Sequence, residues 1–194
     1  MLSTEKMTKS ELRTEAYKYL KPNRIKHVAG CEKEAVRLAK KYGADKDAAA
    51  RAAILHDITK KEDYDSQIEL MRKYHLDCDD DMLASPQLLH AVTGAAFARD
   101  LFQISDEIYD AIRYHTTGKP AMTLLEKIIY LADYTEPSRD FDGVDKLRKV
   151  CNEDLDAAMA LGLKMSIEDV REKGRNPYKD SLEAYEYYKT AYRG

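Results

Sequence analysis

Apolar positions recur along this chain with helical spacing and almost nowhere alternate. Ile68, Met71 and Tyr74 fall three apart, and Leu125, Ile128, Ile129 and Ala132 follow a three-and-four rhythm, as do Ile108, Ala111 and Ile112. Each set therefore lies on one face of an α-helix. The chain holds only 8 Gly and 5 Pro, and they fall where helices should begin or end. Asn23 can cap a helix from Arg24 to Tyr42 that ends at Gly43. Asp45 can cap a second, running through the alanine-rich Ala48 to Ala53 as far as about His56, and Asp63 to His75 reads as a third. Pro86 opens a helix that continues from Leu88 to Phe102. Ser105 can cap Ile108 to His115, after which His115 to Pro120 reads as loop. Thr123-Leu124-Leu125-Glu126 matches a capping box for a helix reaching about Tyr134. Two more are predicted, Leu147 to Lys173, with a break near Cys151, and Asp180 to Tyr192. No alternating run is long enough for a strand. The expectation is an all-α bundle forming one domain across 1–194, with helices 144–194 packed on a core of about 20–140.

Composition narrows the class only a little. At 194 residues, 44% hydrophobic and 35% charged, with a net charge of −3, the chain reads as globular and is not a basic nucleic-acid binder, although a local basic pocket for phosphates remains compatible. The opening Met1-Leu2-Ser3-Thr4-Glu5-Lys6 has no apolar core, so no secretory signal is expected. Glu126 and Lys127 break the longest apolar run, so no membrane span is expected, and the expected location is the cytoplasm. Cys31, Cys78 and Cys151 stand far apart and odd in number, as reduced thiols rather than a disulfide frame. Five of the 14 tyrosines lie between Tyr178 and Tyr192, a pattern that favours a core-docking helix over a self-association surface and leaves a homodimer open.

The chemistry is concentrated in the five histidines. The His56-Asp57 pair alone says little, since chance supplies roughly half of one such dipeptide in a chain of this composition. Its company is more telling. Asp133 continues the stripe of Leu125, Ile128, Ile129 and Ala132, and His115 extends that of Ile108, Ala111 and Ile112. His90 has Gly94 and Phe97 on its face, and His27 shares its face with Cys31, Ala35 and Leu38, with Gly30 leaving room. His56 closes the alanine-rich helix, and Asp57 sits where that helix ends. A single inward histidine is usually a hydrogen-bonded core residue. Four histidines and two aspartates directed inward from five helices would leave a bundle poorly stable without something to bind them. Imidazole and carboxylate without thiolate suit iron, manganese, cobalt or zinc, and six ligands exceed what one open catalytic metal takes. Two metals sharing a carboxylate are therefore expected. His75, ahead of Leu76-Asp77-Cys78-Asp79, looks solvent-facing and has no role. The acidic run Asp77 to Asp81 lacks the spacing of a calcium loop and reads as a solvated turn.

Candidate phosphate binders lie close by in sequence. Lys60 is three residues past Asp57, and Arg139 follows Glu136-Pro137-Ser138 beyond the Asp133 helix. Arg24 is one turn ahead of His27, while Thr116, Thr117 and Lys119 follow His115. Surface charge is the ordinary explanation for any one of these cations, and proximity to a proposed ligand favours Lys60 and Arg139.

The order His27 … His56-Asp57 … His90 … His115 … Asp133 resembles the HD-domain phosphohydrolase superfamily in its six-ligand, two-metal form. The words around it are similar to the bacterial YqeK family. They are Arg24-Ile25-Lys26-His27, Leu55 to Lys60, Leu89 to Ala95, Ile112 to Gly118, and Leu131 to Arg139, within a resemblance from about residue 10 to the carboxyl end. Lys119 stands where that family's pattern leads one to expect Arg, and Asn176-Pro177 where it leads one to expect His-Pro. The resemblance implies an HD-domain bundle with a buried di-iron centre and symmetrical hydrolysis of diadenosine tetraphosphate to two ADP. The ligand implied is a dinucleoside polyphosphate or a nucleoside diphosphate. On this reading His27, His56, Asp57 and Asp133 hold one metal, His90 and His115 hold the other, and Asp57 bridges. Asp57 and Lys60 are then the catalytic residues, while Arg24, Lys60, Thr116, Thr117 and Arg139 bind substrate. The competing expectations are a nucleoside 5′-monophosphate phosphatase or alarmone hydrolase of the same superfamily, or a nucleotide-binding regulatory module without catalysis.

Overall fold

A threonine three residues ahead of a glutamate opens the first helix. Thr8 accepts from the Glu11 amide while the Glu11 carboxylate takes the Thr8 amide, a complete capping box. The computed structural model describes residues 6–192, and among them the regular structure is eleven α-helices and one short 3₁₀ turn, with no strand. The all-α expectation is thus borne out. In chain order the helices are α1 (Lys9–Ala16), α2 (Pro22–Tyr42), α3 (Lys46–Leu55), α4 (Tyr64–Lys73), α5 (Asp80–Leu83), α6 (Pro86–Phe102), α7 (Asp106–Arg113), α8 (Leu124–Thr135), α9 (Val144–Cys151), α10 (Leu155–Glu172) and α11 (Lys179–Tyr188). No helix among the described residues is long and apolar enough to cross a membrane.

Several expected boundaries move, each for a local reason. α2 begins at Pro22 rather than after Asn23, because proline fits the first helical position and Lys21 takes the cap. The stretch expected from Leu147 does break at Cys151 as anticipated, but α9 starts earlier, at Val144, and α10 is capped by Asp154, which accepts from the amides of Asp156 and Ala157 at 2.7 and 3.0 Å. α7 stops at Arg113, so His115 lies in the following turn. α11 runs from Lys179 and ends at Tyr188, short of Tyr192. The acidic run is not simply a solvated turn: Asp79 caps α5, pairs with Lys179 at 2.5 Å and accepts from the Tyr178 hydroxyl at 3.1 Å. His75 is exposed, as expected, in a left-handed conformation just past α4. α1 lay outside the expected elements, although Thr8 and Glu11 carry its signal.

The centre of the molecule is α3. Ala49, Ala50, Ala52 and Ala53 are all buried on it. Side chains that small let α2, α7 and α8 lie close on different sides of α3. The main buried cluster runs from Met7 on the amino-terminal side to Tyr188 on α11. α10 packs on α8 and carries α9 and α11 with it. Tyr188, only 3% exposed, donates its hydroxyl to no acceptor in that cluster but receives the Met122 amide at 2.8 Å, tying α11 to the loop that follows His115. Tyr187, beside it, is exposed, so the tyrosine-rich helix docks by one face only.

Replacing Tyr188 with Phe removes the acceptor and leaves the Met122 amide buried and unpaired. Chemical denaturation should show a loss of about 1–3 kcal/mol with the denaturant slope unchanged.

Candidate metal centre

The helix α3 ends at Leu55, His56 is its C-cap, and the chain then turns tightly, the Ile58 amide reaching Leu55 O at 3.1 Å and the Lys60 amide reaching Asp57 O at 2.9 Å. This turn carries Asp57 into the interior with no exposed surface. Its two carboxylate oxygens face different groups. Oδ2 is 3.3 Å from His56 Nε2 and 3.8 Å from His27 Nε2. Oδ1 is 3.2 Å from His90 Nε2 and 3.8 Å from His115 Nε2. Asp133, in the last turn of α8, lies on the first side, 3.0 Å from His27 Nε2. The structure therefore brings together all six side chains expected to ligate metal, with Asp57 between two pairs of imidazoles.

All four imidazoles engage Nδ1 away from the centre. His56 meets Ala53 O at 2.7 Å, His90 meets Gln87 O at 2.8 Å, His115 meets Ile112 O at 2.7 Å, and His27 meets Glu136 Oε1 at 3.0 Å. Acceptors on that side suit the tautomer with its proton on Nδ1, in which Nε2 is free to take a metal. His90 Nε2 and His115 Nε2 face each other at 3.1 Å. Burial pushes His90 down to about 4 and lowers His115 as well, which keeps both neutral and ready as ligands. His56 Nε2 and Asp57 Oδ1 are buried without a hydrogen-bond partner. Imidazole nitrogens and an orphaned carboxylate oxygen converging on one space are the signature of a cation site, and this donor set could hold divalent metal.

Burial alone would raise the carboxyls of Asp57 and Asp133, yet both are held well below the ordinary range. His56, His115 and His90 do this for Asp57; His27 and Arg139 do it for Asp133. Arg24 forms an ion pair with Asp57 Oδ2. Arg139 donates to Asp133 Oδ1 at 2.5 Å and to its carbonyl at 2.7 Å. Lys60 has an exposed stem, but its ammonium lies 3.2 Å from both ring nitrogens of His90. That crowding desolvates it and lowers its pKa, opposed by the attraction of Asp57.

The groups following His115 divide. Thr117 is buried and donates its hydroxyl to Gly118 O at 3.0 Å, a bond that holds the turn. Thr116 is half-buried with its hydroxyl unpartnered. Lys119 is partly exposed and turns to a different partner: it pairs with the buried Glu126 at 2.7 Å and lies 4.3 Å from the Tyr114 ring centroid. It braces the loop and is not placed for a phosphate.

Three further residues complete the centre and were assigned no role from sequence. Cys31 Sγ is 3.3 Å from His27 Nε2, one helical turn away on the shared face. Glu136 orients His27 and is itself held by the Ser138 amide and hydroxyl at 2.7 and 2.5 Å. Arg148 clamps the loop after α8, donating to the carbonyls of Thr135, Glu136 and Arg139 at 3.0, 3.0 and 2.8 Å. A carboxylate at a helix C-terminus opposes the helix dipole, which makes Glu136 unusual there without pointing to its distant partner. Gly30 makes room for it rather than for His27: a β-carbon at residue 30 would collide with Glu136 Oε2.

Residues 24–138 match the HD domain family. The chain is similar to the symmetrical bis(5′-nucleosyl)-tetraphosphatase of Halalkalibacterium halodurans, 42% identical over 168 residues that cover 86% of this chain and 89% of that protein. The protein of the same description from Bacillus subtilis is 40% identical over 174 residues, covering 87% and 90%. A crystal structure from Clostridium acetobutylicum, described as a predicted HD superfamily hydrolase involved in NAD metabolism, is alike with a TM-score of 0.91 and 35% identity, covering 95% of this chain and 98% of that one.

Gly30→Ala should displace Glu136 and release His27. Titration of the metal-free protein should show metal affinity at the His27 side weakened by about 10- to 100-fold, with the helical circular dichroism retained. Glu136→Gln should give a smaller loss of the same kind.

Proposed function

The chain belongs to the HD domain family, and we propose that it is a metal-dependent phosphohydrolase that cleaves diadenosine tetraphosphate symmetrically, adding one water and releasing two ADP. The observation that carries this reading is Asp57, buried with one oxygen toward His27 and His56 and the other toward His90 and His115. Supporting it are the relatives named symmetrical bis(5′-nucleosyl)-tetraphosphatase at 40–42% identity over most of their length. His27, His56, Asp57 and Asp133 would hold one metal, and Asp57, His90 and His115 the other. Bound divalent metal supplies Lewis acidity, which activates water near neutral pH and neutralises phosphoryl oxygens.

The side chains do the rest. Asp57 fixes the separation of the two halves of the centre. Nδ1 hydrogen bonds keep the four imidazoles turned inward without rearrangement on binding. Lys60 sits at the His90 end and Arg139 at the Asp133 end, so positive charge flanks the centre where the transferred and the departing phosphates would lie. Arg24, already on Asp57, adds a third cation to the same face. No nucleophilic side chain is required: burial and the neighbouring carboxylates push the Cys31 thiol well above its usual range, which disfavours the thiolate. The reading takes iron as the metal, a nucleotide and not a nucleic acid as the ligand, and the cytoplasm as the location.

Anaerobic metal analysis coupled to product identification tests it. Two metals per chain and ADP as the sole nucleotide product are expected; inorganic phosphate or pyrophosphate would move the activity to a nucleoside monophosphate or an alarmone. Asp57→Asn should lower turnover by on the order of 10³-fold or more and reduce metal at both positions. Lys60→Ala should lower turnover by about 10²- to 10³-fold while metal content holds; loss of metal instead would make Lys60 structural. His90→Ala should drop the protein to one metal, and full content with the parent rate would defeat the two-metal assignment.

A further inference from the structure

α4 carries none of the six candidate ligands, yet one of its side chains is buried against the turn that holds Asp57. Gln67 is 4% exposed, and its amide lies between Thr59 on that turn and Thr93 on α6, both buried. Its Nε2 donates to Thr59 O at 2.7 Å, and its Oε1 accepts from the Thr93 hydroxyl at 2.5 Å. The Thr59 and Thr93 hydroxyls are 2.9 Å apart, and Thr59 Oγ1 also reaches His90 O at 3.1 Å.

The donors and acceptors of this group fit in one direction. Thr59 O can only accept, so the amide nitrogen of Gln67 must face it and the amide oxygen must face Thr93. Two acceptors at 2.5 Å would repel, so Thr93 gives its one hydroxyl proton to Gln67 rather than to Leu89 O, 3.0 Å away. Thr59 is left as the donor to Thr93 or to His90 O. With Thr59 donating to Thr93, a ring of hydrogen bonds runs from Thr59 Oγ1 through Thr93 and Gln67 and closes on Thr59 O. A carboxylate at position 67 would set an acceptor against Thr59 O, which already takes the Glu62 amide at 3.1 Å.

The ring spans the join between the Asp57 turn and the His90 helix. Thr59 follows Asp57 by two residues and precedes Lys60, while Thr93 follows His90 by three, on the same helical face. Asp57 Oδ1 and the Lys60 ammonium each lie 3.2 Å from a His90 ring nitrogen. Gly94 lets the turn lie directly on α6: a β-carbon there would stand 3.3 Å from Thr59 Oγ1 and 3.6 Å from His56 O. α4 is fastened to α6 independently at its carboxyl end, where the Tyr74 hydroxyl and the Lys73 ammonium meet Asp100 Oδ2 at 2.9 and 3.3 Å.

We propose that Gln67 and Thr93 are positioning residues for the His90 side of the centre. Acting through Thr59, they fix how far Asp57 and Lys60 stand from His90, and so set the affinity for metal on that side. The assignment rests on the two-metal reading above. The opposite side is held by other means, since Arg24 pairs with Asp57 Oδ2 and Glu136 aims His27. Loosening the ring therefore acts on one metal position and spares the other.

The test uses the iron(II)-loaded protein under anaerobic conditions, with graded amounts of a chromogenic chelator counting the ions withdrawn. Gln67→Met keeps the side-chain length and breaks the ring. It should weaken the hold on one ion by about 10-fold and leave the other at its parental affinity. Thr93→Val keeps the shape, removes the hydroxyl and should do the same, whereas Thr93→Ser should restore the parental value. Combining Gln67→Met with Thr93→Val should weaken binding no further than either alone, because both break one ring. In a His90→Ala background, Gln67→Met should leave the affinity of the remaining ion unchanged. A ring with a purely structural role would lower the unfolding midpoint and spare both ions. That outcome, equal weakening of both ions, or an effect that persists without His90 would overturn the positioning role while the two-metal reading stands. If Gln67→Met does not unfold cooperatively, Thr93→Val and Thr93→Ser decide between the same outcomes. A parent protein that holds fewer than two ions would defeat the two-metal reading and the positioning role together.

Discussion

Asp57 places a carboxylate where no water reaches it, and an anion in that position persists only if cations or hydrogen-bond donors surround it. Four segments of the bundle meet that requirement. α2 brings His27 and Arg24, α6 brings His90, the turn after α7 brings His115, and the end of α3 brings His56. These elements can converge on one carboxylate only because α3 presents alanines to its neighbours. Larger apolar side chains there would fill the core equally well and hold the histidines apart. The alanine run is therefore best understood as a spacing device for the centre, not merely as a helix-favouring composition.

The imidazoles are oriented by two different means. His56, His90 and His115 each engage the carbonyl three residues earlier, at Ala53, Gln87 and Ile112, so the bond that aims each ring is made within its own segment. His27 lies within a continuing helix and meets Glu136, a residue 109 positions away in sequence. Its aim thus depends on tertiary structure: Gly30 gives Glu136 space, Ser138 holds its oxygens, and Arg148 secures the backbone on either side of it. Three of the four imidazoles are consequently aimed by local geometry, and the fourth by the loop between α8 and α9.

This division explains what could be read from the residues alone. Helical stripes located Asp133 and His115, and the small set of histidines made their shared inward direction visible, because periodicity reports which face a side chain takes. The caps at Asp45, Ser105 and Thr123 were equally legible, since each is a bond between residues two or three apart. Glu136 and Arg148 were not, because their partners lie in other segments or on backbone carbonyls that no pattern of side chains records. The pairing of Lys119 was hidden for the same reason: it follows His115 closely in sequence, but its partner is Glu126 on α8. Arg24 and Arg139 were found near ligands as expected, but their pairing with the ligand carboxylates themselves depended on distances that spacing does not give.

A net charge of −3 gives no hint of a polyphosphate site, and the arrangement of charges shows why the total is a poor guide. Arg24, Lys60 and Arg139 converge on a small volume from three segments, so the positive potential is local and acts where low dielectric strengthens it. Carboxylates lie in the same neighbourhood but at two depths. Asp57 and Asp133 are inside, where cations match them; Glu168 and Asp169 are outside, exposed on α10, where Asp169 pairs with Lys173 at 2.6 Å. The net charge averages over groups that act at different depths and in different dielectrics, so it carries no trace of the cations gathered at the centre.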